Sequence, residues 1–317
     1  YVAEKLGLPT NPYKSVEILA YKDKFRKFLS ENGFNCPKAK GYSSLESAKK
    51  EINKFTFPVM VKPVDSSGSK GVSKVEKIED FQDAYKRAVA YSREGEIIVE
   101  EFIVQDHEFM IGGDCFVLNG KVVYWGLLNC HRNPKVNPLV PIGKSYPLAI
   151  SEDRIEKIKK EIQRVVDLLD IRFGGFNLEI MIDKYDRVFI IEMGPRNGGN
   201  MIPDLLRMIN NVDLIGATVE TAMGNENLTI EAKQSNEFYS SYNIHSSRNG
   251  LFVEIKYKNG IEDKIMKKVI YKKKDDPVEY FDGANKAIGI LFFKFDTREE
   301  QMAFFNDPQN WIEVILK

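Results

Sequence analysis

The residue types best suited to chemistry gather in four short stretches. The strongest runs Asn177-Leu178-Glu179-Ile180-Met181, then through Asp183-Lys184-Tyr185-Asp186 to Ile190-Ile191-Glu192-Met193-Gly194-Pro195-Arg196-Asn197-Gly198-Gly199-Asn200. Both glutamates lie in apolar, strand-like runs joined by a hairpin. Side chains alternate faces along a strand, so Asn177, Glu179 and Met181 are expected on one face, Leu178 and Ile180 on the other. On the next strand, Ile190 and Glu192 are expected to share a face. Two carboxylates on neighbouring apolar strands repel unless a cation joins them. A hard divalent ion such as Mg²⁺ fills that role, because it takes carboxylate and phosphate oxygens and needs neither His nor Cys. Arg196 follows, with a guanidinium fork suited to a phosphoryl group or a carboxylate. The bland alternative, a pair of solvent-facing glutamates, requires edge strands.

The other three stretches are individually weaker. Lys62 closes the apolar run Phe57-Pro58-Val59-Met60-Val61-Lys62-Pro63; a lysine there is costly unless it meets an anion or snorkels to water. The loop Asp65-Ser66-Ser67-Gly68-Ser69-Lys70-Gly71 could bring backbone N–H groups close to phosphate oxygens, or could be a plain mobile turn. It lacks the P-loop spacing and leads into a strand rather than a helix. Val99-Glu100-Glu101-Phe102-Ile103, followed by Glu108, is an apolar strand end that could offer backbone groups to a purine and carboxylates to ribose hydroxyls.

The elements that must position these groups are readable in outline. Helical patterns cover Val16 to Ala20 and Asp23 to Leu29, stopping at Asn32-Gly33. Cys36 to Tyr42 is a strand candidate, and a helix runs from Ser44 to about Lys54. Val72 to Glu76 is a strand, Ile78 to Tyr91 a helix and Ile97 to Val99 a strand. Asn119-Gly120 marks a hairpin. Ile155, Ile158, Ile162, Val165 and Leu169 mark an amphipathic helix. Helices follow at Met201 to Ile209 and Val212 to Met223, then strands from Phe238 to about Tyr271 and from Ile288 to Phe295, and a helix from Thr297 to Phe305. Antiparallel hairpins with flanking helices favour an α+β fold.

Composition narrows the class. The chain has 317 residues, enough for two lobes, and is 43% hydrophobic. Lys plus Arg equals Asp plus Glu at 46 each, which disfavours nucleic acid as the main ligand. No apolar run reaches the ~18 residues of a membrane span. Cys36, Cys115 and Cys130 form no CxxC pair, and free thiols suit a cytoplasmic setting. His107, His131 and His245 do not cluster, so no zinc site is expected.

Taken in order, Lys24, Lys62, loop 65–71, Glu100 to Ile103, Glu179 and Glu192-x-x-Pro-Arg resemble the ATP-grasp superfamily, over roughly residues 20 to 200. The likeness is to its carbamoyl phosphate synthase, biotin carboxylase and phosphoribosylglycinamide synthetase branch and to related amino-acid ligases. It implies a two-lobed fold with ATP between a smaller lobe at 34–101 and a larger one at 102–317. Residues 1–33 would be linker helices trailing a Rossmann-like domain upstream of Tyr1. It further implies that Lys24 and Lys62 hold phosphates, with Lys62 and Arg196 serving catalysis. Ser66, Ser67, Gly68, Ser69, Lys70 and Gly71 would form a flap. Glu100, Glu101, Phe102 and Ile103 would meet adenine, Glu108 the ribose, and Met181 the adenine floor. Glu179 and Glu192 would bind Mg²⁺, with Mn²⁺ an alternative. The family commonly has Glu-x-Asn-Pro-Arg, and here Gly194 replaces the Asn, leaving Asn177, Asn197 or water to complete the shell. The implied activity is ATP-dependent ligation of a carboxylate to an amine through an acyl phosphate, by an enzyme that could form a homodimer. The rival readings are bicarbonate activation and nucleotide binding without turnover.

Overall fold

A computed structural model describes residues 1–225 and 227–317. Helices α1 (Val2–Lys5), α2 (Tyr13–Ala20) and α3 (Lys22–Glu31) open the chain. α3 buries Phe25, Arg26 and Leu29, and the chain turns away from it at Gly33, whose φ of +71° suits glycine. Next come β1 (Ala39–Tyr42), α4 (Leu45–Glu51), β2 (Val59–Pro63), β3 (Ser73–Val75), α5 (Phe81–Ala90) and β4 (Ile97–Glu101). The four strands form one antiparallel sheet in the order β1-β4-β2-β3. Its inner face packs Val59, Val61, Ile97 and Val99 against Phe81, Tyr85 and Ala88 of α5. Ser44 caps α4 by accepting from Ser47 N. Alternation along β2 and β4 turns Lys62 and Glu100 to the opposite face.

The second half of the fold contains β5 (Met110–Leu118), β6 (Lys121–Asn133), β7 (Asn137–Tyr146), α6 (Glu152–Leu168), β8 (Gly174–Ile182), β9 (Val188–Gly194), α7 (Ile202–Asn210), α8 (Leu214–Ala222) and β10 (Phe238–Ile244). It continues with β11 (Gly250–Tyr257), β12 (Ile265–Ile270), β13 (Pro277–Val278), β14 (Gly289–Phe295), α9 (Arg298–Asn306) and β15 (Ile312–Leu316). Eight strands make an antiparallel sheet in the order β12-β14-β10-β7-β6-β5-β8-β9, and β13-β11-β15 make a small third sheet. The Asn119-Gly120 turn between β5 and β6 has φ of +48° and +75°, as a tight hairpin turn requires. His131 and Arg132 lie in β6.

Register sets the faces of the large sheet. Gly112 pairs with Glu179, Asp114 with Asn177, and Glu179 with Glu192. Paired residues share a face, so these groups line one side. The other side buries Ile111, Cys115, Leu178 and Ile180 under Ile158, Ile162 and Val165 of α6. One sequence expectation is corrected here. Ile190 does not share a face with Glu192. A bulge lets Ile180 pair with Ile190 while Glu179 pairs with Glu192. The extra residue, Ile191, turns Ile190 into the core and leaves Glu192 on the polar side.

Candidate active site

α3 stitches the two sheets together. Lys22 opens the helix, and its Nζ donates to Ser66 O at 2.5 Å and lies 4.0 Å from Glu192 Oε2. One turn on, Arg26 donates from Nη2 to Ile191 O at 2.8 Å, on the bulged strand β9. Its Nε stands 2.9 Å from Glu100 Oε1, an ion-pair contact with the N–H turned off the line of a good hydrogen bond. Lys62 Nζ donates to Glu100 Oε2 at 2.5 Å. Glu100 is thus a buried anion between two cations, 3% exposed. Burial pushes its pKa up, but Arg26 and then Lys62 outweigh that and bring it down to about 2. Burial lowers the pKa of Lys22, against the opposing pull of Glu192.

Glu179 and Glu192 are a directly opposed pair on β8 and β9, both half-buried, with Glu192 beside Lys22. Among the described residues no group of three or more His, Cys, Asp or Glu could hold a metal ion. A cation joining the pair must therefore take its other ligands from water or from a ligand. Mg²⁺ fits that description, since it keeps waters and takes substrate phosphates beside one or two carboxylates. Gly194, one alternation beyond Glu192, leaves a gap: a Cβ there would lie 3.7 Å from Glu192 Oε1 and 3.8 Å from Arg196 Cζ. Arg196 is exposed and donates to Asn197 O at 3.0 Å. Asn197 turns away, its Nδ2 donating to Thr218 Oγ1 at 3.0 Å. Asn177 stays on the polar face but gives its Nδ2 to Asp114 Oδ1 at 2.8 Å.

The loop 65–71 is braced at both ends. Asp65 Oδ2 accepts from Arg93 N at 2.9 Å and Glu94 N at 3.1 Å. Gly68, Ser69 and Gly71 have φ of +70°, +60° and +70°, so the chain turns sharply between Ser67 and Lys70. Ser69 Oγ then donates to Leu139 O of β7 at 2.9 Å, carrying the loop from the small sheet to the large one. At the end of β4, Glu101 Oε1 accepts from Thr56 N at 2.9 Å, and Phe102 N donates to Pro58 O at 3.1 Å. Lys74 stands 4.4 Å from the Phe102 ring centroid. Ile103 is half-buried, and Met181 lies on β8, two residues beyond Glu179.

Three sequence expectations meet a different geometry. Lys24 is outside the cluster: it is exposed, 3.0 Å from Glu17 Oε1 and 4.5 Å from the Tyr21 ring centroid. Lys22, two residues earlier, is the lysine beside Glu192 and the loop 65–71. Glu100 is not a free acceptor, because Arg26 and Lys62 already hold both its oxygens. Glu108 is exposed at the margin, 3.9 Å from Arg298 Nη2. A cavity of about 780 Å³ opens between α3 and β1, lined by Asp23, Arg26, Lys40 and Ile98 among others. Its lining includes neither Lys62 nor the glutamate pair, so it is a neighbour of this site rather than the site itself.

The chain is similar to known proteins in sequence and in fold. The family described as ATP-grasp domain matches residues 55–204. The carbamoyl phosphate synthase large chains of Thermotoga petrophila and Thermotoga neapolitana are 26% and 28% identical over 196 residues, 62% of this chain. The chain spans only 17% of the length of those relatives. Among solved structures, an L-amino acid ligase from Bacillus licheniformis superposes with TM-score 0.78 at 20% identity, covering 99% of this chain and 77% of that one. Phosphoribosylglycinamide synthetase from Anaerococcus prevotii gives 0.70 at 22%, covering 100% and 79%. The biotin carboxylase domain of Hydrogenobacter thermophilus 2-oxoglutarate carboxylase, solved with MgADP, ADP and bicarbonate, gives 0.72 at 16%, covering 100% and 71%. The α+β architecture is therefore the ATP-grasp fold, and residues 55–204 match the ATP-grasp domain.

Proposed function

We propose that the chain is an ATP-dependent ligase that phosphorylates a small carboxylic acid and passes the acyl group to an amine. The observation that carries this reading is the opposition of Glu179 and Glu192 on neighbouring strands, with Lys22 beside Glu192 and Arg26 joining β9 to the Glu100–Lys62 pair. The acids would share a divalent cation, and the ammonium groups would meet phosphates. Mg²⁺, or Mn²⁺ in its place, would be held by Glu179 and Glu192, and supplies charge neutralisation to the phosphates when bound. Lys22 and Lys62 would hold α- and β-phosphate oxygens, with Glu100 and Arg26 fixing Lys62 in place. Backbone groups of Glu101 and Ile103 would read the purine edge beside Phe102 and Met181. The flap at 66–71 would exclude water. In the first step an acid oxygen attacks the γ-phosphorus, and the bond to the β-bridging oxygen breaks, giving acyl phosphate and ADP. Arg196 would steady the transferring group. An amine then attacks the acyl carbon and phosphate leaves. No side chain needs to act as a nucleophile, since phosphoryl transfer depends on position and charge. Three free thiols suit a cytoplasmic enzyme.

The test is to incubate the protein with MgATP, pooled amino acids and other small acids, and hydroxylamine. The expected result is acid-dependent ADP release with a trapped hydroxamate, lost in Glu192→Gln while that variant keeps the parent melting temperature. Nucleotide binding without ADP release would support a binding module; full activity in Glu192→Gln would remove the metal assignment.

A further inference from the structure

The ammonium of a buried lysine lies two strands from Glu192, on the side of the glutamate pair away from Lys22. Lys144 of β7 is 8% exposed, and Cys130, its partner on β6, is 2% exposed. Lys144 Nζ donates to Cys130 Sγ. The ammonium stands over Gly112: a Cβ at that glycine would lie 2.7 Å from Lys144 Nζ and 2.6 Å from Cys130 Sγ. Only glycine leaves room for it there. Gly112 pairs directly with Glu179 on the adjacent strand, and Glu179 pairs with Glu192 on the next. Strand spacing of about 4.8 Å therefore places the ammonium roughly one strand from Glu179 and two from Glu192, on the shared polar face.

Among the described residues Lys144 has no carboxylate within ion-pair distance. Asp114, a buried carboxylate on β5, acts on it through space but gives its oxygens to Asn177 Nδ2 and Gly198 N, each at 2.8 Å. A thiol is weak compensation for a buried charge, and an ammonium held this way is costly unless an anion joins it. Arg132 repeats the pattern nearby. It is half-buried, donates to Met110 Sδ at 2.8 Å and Leu139 O at 3.4 Å, and makes no ion pair among the described residues. The same Leu139 O accepts from Ser69 of the flap. The cleft thus has an excess of cations beyond Glu179, under the place where the flap lands.

We infer that Lys144 binds an oxyanion beside Glu179, on the side away from Lys22: the terminal phosphate or the carboxylate it is transferred to. This rests on the ligase reading above. No sequence motif marks Lys144; what marks it is a buried, unneutralised charge over a glycine.

The experiment is calorimetric titration of the full chain, as wild type, Lys144→Met and Lys144→Arg, in Mg²⁺ buffer. ADP, AMP-PNP and then acetate on the AMP-PNP complex are the probes. ADP affinity is expected to stay within about twofold, since Lys22 and Lys62 face the inner phosphates. Lys144→Met is expected to lose about tenfold or more for one of the other probes, with Lys144→Arg recovering part of it. Loss for AMP-PNP names the terminal phosphate as the occupant, and loss for acetate names the carboxylate. If Met does not fold, Lys144→Gln, which keeps a polar head beside Cys130, is read the same way. AMP-PNP affinity unchanged within about twofold, together with acetate binding that is unchanged or absent from the wild type, overturns the inference. Wild-type protein that binds no nucleotide would instead sink the ligase reading, and this inference with it.

Discussion

At the residue scale, the site turns on which lysine of α3 faces inward. Lys22, Phe25, Arg26 and Leu29 follow the i, i+3, i+4, i+7 spacing of one helix face. Lys24 sits about 200° around the helix from Lys22 and is left with Glu17 and solvent. That periodicity was available in the sequence, but the Asp23-Lys24 dipeptide masked it. Lys22→Ala is expected to weaken ATP binding about tenfold or more, while Lys24→Ala changes it by less than about twofold; equilibrium titration of both variants checks this. Gly194 offers a second test. An added Cβ would make only ordinary van der Waals contact with Glu192 and Arg196, so Gly194→Asn should fold. Its amide oxygen would join the carboxylate pair, and Mn²⁺ affinity in the presence of AMP-PNP is expected to rise about threefold or more. Unchanged affinity would mean the position does not reach the ion.

At the element scale, strands and helices were legible because apolar spacing sets them, and the partners were legible only in part. The alternation along β8 placed Glu179 correctly against Leu178 and Ile180. The bulge at β9 was not legible, because an inserted residue in an apolar run leaves no mark in the pattern. Nor was the role of Glu100, since nothing local to Val99-Glu100-Glu101 says that α3 will bring Arg26 over it. That contact has measurable consequences. Arg26→Met leaves Glu100 with Lys62 alone and removes the tie to β9, and is expected to cost about 3–5 kcal/mol in urea denaturation. The pH dependence has a definite sign. The folded pKa of Glu100, about 2, lies below its ordinary value of 4.5. Its contribution to stability is therefore complete above pH 4.5 and lost as pH falls toward 2. Asp114 acts oppositely: burial raises it from 3.8 to about 6, so its contribution declines as pH rises through that interval. Asp114→Asn, if it folds, should flatten the stability curve between pH 4 and 6 and leave the acid limb intact.

At the scale of the whole molecule, one helix and one loop each tie the small sheet to the large one. α3 ties β4 to β9 through Arg26, and the loop 65–71 ties β2 to β7 through Ser69. The loop is the weaker tie, with one hydroxyl contact at its tip. Hydrogen exchange at 66–71 is expected to slow when MgATP analogue is added, while exchange in β8 and β9 stays slow throughout. Among the described residues Lys144 and Arg196 make no ion pair, and no group of three or more His, Cys, Asp or Glu could hold a metal. Ion and nucleotide should therefore bind as one unit. Mn²⁺ titration followed by electron paramagnetic resonance, with and without AMP-PNP, in wild type and Glu192→Gln, tests this most directly. The account predicts weak Mn²⁺ binding without nucleotide, about tenfold or greater tightening with it, and loss of that tightening in the variant. Tightening that survives Glu192→Gln unchanged, or Mn²⁺ binding indifferent to AMP-PNP, would contradict it.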